Sequence, residues 1–227
     1  MPGPMSAERP RRPPSDDGLF VVGLVGQAGS GKSTVARALA ADGAVVIEAD
    51  LLGHEVTDRD PEVRRALEAE YGPDVYRGDG MLDRRRVAAR VFSDPVARAR
   101  LDRLVHPRII DRIARRLDAL RAEGHRGVVV LDAALMLDWG VERSCDAVIA
   151  VVAPAPDQLA RLGQSRGWSE AESRARLAAQ RSSAAFAAAA DATLENRGTI
   201  GALEREARAV VERLRTTRRG TTGETRC

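Results

Sequence analysis

Five short apolar runs punctuate an otherwise charged chain. Leu19–Val25 reads LFVVGLV without a break. Ala44–Ile47, Gly127–Asp132, Asp146–Val152 and Ala192–Leu194 follow at long intervals. Short unbroken runs rich in Val and Ile predict strands buried on both faces, as in a parallel sheet. Between them the period changes. Lys32–Asp42 places Val35, Ala36, Leu39 and Ala40 on one helical face and stops before Gly43, so the first run, this helix and the second run predict a βαβ unit. From 51 to 124 the pattern predicts charged helices, with Pro61 and Pro95 in first turns, a turn at Asp79-Gly80, and a break or kink at Pro107, near His106. Helices rich in Arg, Glu and Ala at 155–190 read as a mobile lid, and a last helix spans about Thr199 to Arg215. The expected organisation is a disordered leader at 1–18, one α/β domain at 19–215 and a disordered tail at 216–227.

Composition narrows this picture. Apolar residues are 44% of the chain and aromatic ones 3%, so the core is built from Ala, Val, Leu and Ile. The net charge of +3 suits an anionic nucleotide but is too small, and too evenly spread, to indicate nucleic acid. Lys32 is the only lysine; every other basic side chain apart from the histidines is Arg. Cys145 and Cys227 cannot form a disulfide framework or a zinc site, and Cys227, as the last residue, is no prenylation site. There is no apolar run of membrane-spanning length, and the leader lacks the apolar stretch of a secretory signal. The expectation is a reduced, soluble, cytoplasmic protein with no membrane partner.

The chemistry concentrates after the first strand. Gly26-Gln-Ala-Gly-Ser-Gly-Lys-Ser33 matches G-x-x-x-x-G-K-[ST]. Glycines let the backbone wrap closely around phosphate oxygens, and the helix that follows turns its positive end to the same anion. Lys32 reaches the β- and γ-phosphates, and Ser33 binds the Mg²⁺ that bridges them. The candidate ATP-binding residues are Gly26, Gly29, Ser30, Gly31, Lys32, Ser33 and Thr34. A guanine-specific switch needs N-K-x-D, which a chain with one lysine already used cannot carry. The transporter segment L-S-G-G-Q is absent. Val128–Asp132 is like a Walker B strand but continues into Ala133, with no adjacent Glu to activate water. Phosphoryl transfer to an organic hydroxyl fits this pattern best.

Asp50 closes the second strand, where open α/β sheets place their ligands. A carboxylate there accepts the proton of an attacking hydroxyl; the same residue also reads as an N-cap for a helix from Leu51. Asp132 ends another strand, where it either holds the Mg²⁺ shell through water or caps a loop.

From Leu19 to about Arg213 the chain resembles the dephospho-coenzyme A kinase family. The landmarks come in order: the glycine-rich loop, Ile47–Asp50, Asp79–Arg85, Val91–Pro95, Leu104–Pro107, Leu131–Asp138, Gln158–Leu162, Ala178–Gln180 and Asn196–Thr199. The resemblance implies a P-loop NTPase fold, a five-stranded parallel sheet flanked by helices, with 51–124 cradling the acceptor and the lid closing over ATP. It implies phosphorylation of the ribose 3′-hydroxyl of dephospho-coenzyme A, giving coenzyme A and ADP. Asp50 would then be the base, Arg161 the lid charge on the transferring phosphoryl group, Arg84 a contact for the acceptor's phosphates, His106 a wall of the acceptor pocket, and Asn196 an adenine contact. The chain departs from the family pattern in several places. Gln27-Ala28 replaces Gly-Ile, Glu48 replaces an Asp, and Ala134 replaces a Pro. Ser165 takes the place of a second lid arginine, with Arg166 one residue on, and Phe186 that of a frequent basic residue. Two other readings fit the residues: a diverged kinase acting on another nucleoside or nucleotide hydroxyl, and a nucleotide-binding regulatory protein without activity.

Overall fold

The computed structural model describes residues 18–92, 94–133 and 135–223. Ser93 and Ala134 lie outside the described residues, as does the expected leader apart from Gly18, whose carbonyl accepts from the Gly127 N–H at 3.0 Å. The apolar runs form strands β1 (Leu19–Val25), β2 (Val45–Glu48), β3 (Gly127–Asp132), β4 (Ala147–Val152) and β5 (Ala192–Glu195). They join one five-stranded parallel sheet in the order β2-β3-β1-β4-β5. β1 is central, with Leu24 opposite Asp132 of β3 and Val25 opposite Ala150 of β4. Ten helices accompany the sheet among the described residues: α1 (Lys32–Ala41), α2 (Ala49–Arg59), α3 (Pro61–Tyr71), α4 (Arg84–Phe92), α5 (Pro95–Ala122), α6 (Met136–Trp139), α7 (Ala155–Arg166), α8 (Glu170–Ala178), α9 (Ser183–Ala188) and α10 (Ile200–Gly223). None is long and apolar enough to cross a membrane.

The chain packs as two units: residues up to Ile47 with those from Gly124 onward, and Glu48–Glu123. In the first, alternation along β1 sends Phe20, Val22 and Leu24 to one face. There they meet Val35 and Leu39 of α1 and Leu203, Ala207 and Val211 of α10. On the other face Gly23 leaves room for Met136; a Cβ at that position would come within 2.6 Å of the methionine sulfur. β1 is buried along its whole length, which explains why its sequence is an unbroken apolar run.

The second unit is helical. α5 buries Val105, Ile109, Ile113, Leu117 and Leu120 at three- and four-residue spacing. That regular burial crosses Pro107, and α5 runs through the proline as one helix, so of the break or kink expected there the break does not occur. Proline removes one backbone hydrogen bond, but burial of side chains before and after it holds the helical line. α10 also differs from expectation. Of the disordered tail expected at 216–227, the part to Gly223 continues α10 and 224–227 lie outside the described residues; Arg218 reaches buried Asp146 at 3.5 Å. That carboxylate also accepts from the Val21 N–H at 2.8 Å.

Candidate active site

The glycine-rich loop joins β1 to α1 at the point where the sheet order reverses, with β3 on one side of β1 and β4 on the other. Its glycines are required sterically. Gly26 has φ 146°, and a Cβ there would lie 2.2 Å from the Val151 carbonyl oxygen. Gly31 has φ 111°, and its Cβ would lie 2.4 Å from Asn196 Nδ2. Lys32 opens α1 and its Nζ donates to the carbonyls of Gly26 (2.9 Å) and Gln27 (3.4 Å), so the ammonium lies across the loop. Ser33 and Thr34 follow in the first turn, with Ser33 exposed. Ser30 is buried, and its hydroxyl has no hydrogen-bond partner among the described residues.

The loop carbonyls are held from behind by neutral or delocalised donors. Buried Gln158 on α7 donates from Nε2 to the Ala28 carbonyl at 3.2 Å. Arg161, one turn further along α7, donates from Nη1 to the Gly29 carbonyl at 3.1 Å. Asn196 after β5 is buried; it donates from Nδ2 to the Ser30 carbonyl at 2.8 Å and from its backbone to the Val152 carbonyl at 2.7 Å. Arg161 and Asn196, expected at the phosphoryl group and at adenine, thus both contact the loop itself. Asp132 ends β3 one strand from the loop. The described residues contain no cluster of three His, Cys, Asp or Glu suited to a metal.

In the helical unit, Asp50 is exposed in the first turn of α2. It is not the cap: α2 begins at Ala49, and the capping position belongs to Glu48, whose side chain makes no cap bond. His106 lies within α5, its Nε2 3.1 Å from Asp102 one turn earlier. Arg84 is strongly engaged. It donates to buried Asp58 at 2.8 Å and to Thr57 Oγ1 at 3.3 Å. Asp58 also accepts from the Leu82 N–H at 2.9 Å. Burial by itself raises the Asp58 pKa, but the Leu82 N–H and the Arg84 guanidinium outweigh it and hold the carboxyl below its ordinary 3.8. Tyr76 donates to the Thr57 carbonyl at 2.7 Å, and burial pushes its pKa up to about 12, so it stays a neutral donor.

A sequence model of dephospho-CoA kinase matches residues 20–202. The chain belongs to the dephospho-CoA kinase family. Curated relatives of that name from Moorella thermoacetica and Thermobifida fusca are 38% and 39% identical; each alignment covers 86% of this chain, and 92% and 96% of the relatives. Among solved structures, TT1252 from Thermus thermophilus is 31% identical with a TM-score of 0.73, covering 90% of this chain and 99% of its own. Dephospho-CoA kinase from Campylobacter jejuni, at 19% identity and a TM-score of 0.60, shares the fold over 86% of this chain and 97% of its own.

Within that family frame the chain carries contacts that its sequence hid. Gln27, a departure from the family pattern, donates to the Leu177 carbonyl at 3.1 Å and accepts from Ser183 Oγ at 3.0 Å. Gln180 accepts from the Ala28 N–H at 2.9 Å. No local periodicity marks these residues, because their partners are distant in the chain. Gln158 did leave a signal: it stands three residues before Arg161, on the same helical face.

Proposed function

We propose that this protein transfers the γ-phosphoryl group of MgATP to the ribose 3′-hydroxyl of dephospho-CoA, forming coenzyme A and ADP. The reading rests above all on the phosphate loop, with Lys32 heading α1 at the switch point of a sheet that belongs to this family. Its backbone N–H groups and the N-terminus of α1 are the preorganised donors for the β- and γ-phosphates. Ser33 and, through water, Asp132 would hold the Mg²⁺ of the nucleotide, which would supply charge neutralisation on the phosphates. In the transfer the ribose oxygen forms a bond to Pγ as the bond from Pγ to the β,γ-bridging oxygen breaks. ADP leaves, and the ribose proton passes to the Asp50 carboxylate and then to water. Arg161 and Lys32 offset the charge on the equatorial oxygens.

The test pairs an acceptor screen with one substitution. Wild type is assayed with MgATP against dephospho-CoA, nucleosides and nucleotides, and Asp50→Asn against the preferred acceptor. We expect dephospho-CoA to be preferred. Asp50→Asn should lower turnover by about 10²–10⁴ with ATP affinity unchanged, the range for loss of a general base. Because Asp50 is not a helix cap, unfolding of the variant should match wild type. Transfer to a different ribose hydroxyl that still requires Asp50 would keep the chemistry and replace the acceptor. Unchanged turnover in the variant would remove Asp50 from the mechanism.

A further inference from the structure

The connection between α8 and α9 is fastened to the phosphate loop by two glutamines acting in opposite directions. From the loop, Gln27 donates to the Leu177 carbonyl and accepts from the Ser183 hydroxyl. From the connection, Gln180 accepts the Ala28 N–H. The Leu177 carbonyl, in the last turn of α8, also accepts from the Gln180 N–H at 3.1 Å. Ser183 opens α9. One loop side chain therefore bonds to the last turn of α8 and to the first residue of α9, and this connection cannot leave the loop without giving up three hydrogen bonds.

Arg181 sits between those fastened points. Its Nε and Nη2 lie 2.8 and 2.6 Å from a single oxygen, Oδ1 of Asp138 on α6. α6 packs beneath β1, since Met136 fills the space beside Gly23, three residues before the loop begins. The pair thus joins the fastened connection to the sheet face beneath the loop. Both side chains are substantially exposed, at 38% and 44%. An exposed pair of this kind contributes only about 0–1 kcal/mol, and a guanidinium binds phosphate in a bidentate fork with more charge to meet.

We infer that Arg181 is a nucleotide-contacting arginine that exchanges Asp138 for the terminal phosphate of ATP. It rests on the ATP-dependent reading above, although not on the identity of the acceptor. Arg161, whose guanidinium does contact the loop, spends a donor on the Gly29 carbonyl, and positions 165 and 186 carry Ser and Phe. Arg181 follows directly on Gln180, which is bonded to the Ala28 N–H of the loop, and its own partner Asp138 is exposed and exchangeable. Gln27 and Gln180 act as positioning residues for it.

The test measures direct binding of MgATP and MgADP, together with kcat and KM for ATP, in Arg181→Ala, Arg181→Lys and Asp138→Asn. Loss of a contact to the terminal phosphate should weaken ATP about tenfold more than ADP in Arg181→Ala and lower kcat at least tenfold. Arg181→Lys should recover part of both. Asp138→Asn releases the arginine and should tighten ATP by up to about fivefold, the equivalent of a surface pair of 0–1 kcal/mol. Arg181→Ala with wild-type preference for ATP over ADP would overturn the proposal and leave Arg181 a structural tie to α6. If that variant does not fold, weakened ATP binding in Asp138→Asn overturns it equally. An Arg181-dependent preference for ATP in an enzyme that ignores dephospho-CoA would sustain this inference while the acceptor assignment fails.

Discussion

The phosphate loop and the helical unit solve the same problem, holding irregular backbone in place, with opposite chemistry. Around the loop the ties are mainly carboxamides: Gln27, Gln158, Gln180 and Asn196. In the helical unit the central tie is an ion pair, Arg84 with Asp58, at the junction of α2, α4 and the turn at Leu82. Neutral amides satisfy loop carbonyls without placing negative charge beside a triphosphate, where a carboxylate would repel it. The helical unit faces no such constraint in its interior. A buried carboxylate there can accept one backbone N–H and one guanidinium, at the cost of depending on pH. Negative charge is thus withheld from the ties to the loop, where the substrate brings its own.

The largest effect expected in the loop comes from its one ammonium. Lys32→Ala should lower transfer by more than about 10³-fold, over 4 kcal/mol of barrier, because no second lysine exists to replace it. Steady-state turnover with MgATP measures this, and a loss under tenfold would end the assignment. Next is a swap that breaks the contrast directly. Gln158→Glu keeps the shape but sets a buried carboxylate against the Ala28 carbonyl, now 3.2 Å from a donor. It should cost about 3 kcal/mol at neutral pH and weaken MgATP at least tenfold, as urea unfolding and calorimetry would reveal.

The reverse swap, Asp58→Asn, replaces the charged tie by an amide. It should cost about 2 kcal/mol at pH 7. The Asp58 pKa is lowered in the folded protein, so its contribution is complete above the ordinary 3.8 and is lost as pH falls through the lower folded value. The stability gap between wild type and Asp58→Asn should therefore close below about pH 4, and a gap that stays constant to pH 2 would discount the ion pair. Smallest of all, Tyr76→Phe removes the bond to the Thr57 carbonyl and should cost about 1 kcal/mol.

These residues also show what a sequence can disclose. β1, the loop and α1 were legible because their signals are local: an unbroken apolar run, glycines at fixed offsets, then helical spacing. At Pro107 local backbone chemistry predicts a break or a kink, and burial on both sides of it keeps α5 one helix. Asp58 carries no local signal, since its partners Leu82 and Arg84 lie far along the chain. The same distance hid Gln27, whose bonds run to Leu177 and Ser183. Asn196 was placed correctly after the last strand, yet its amide serves the loop backbone.

The central position of β1 has a consequence for how the molecule is made. Leu19 pairs with Gly127 and Val22 with Ala147, so the strand that carries the phosphate loop is synthesised before both its neighbours and waits for them. During that wait Leu19–Val25 is an apolar segment with open edges, and the contacts that close it are among the most non-local in the chain. The helices of Glu48–Glu123 complete within their own stretch in the meantime. Refolding should accordingly show helical signal well before nucleotide binding returns, and chaperone demand should fall once β4 has been synthesised.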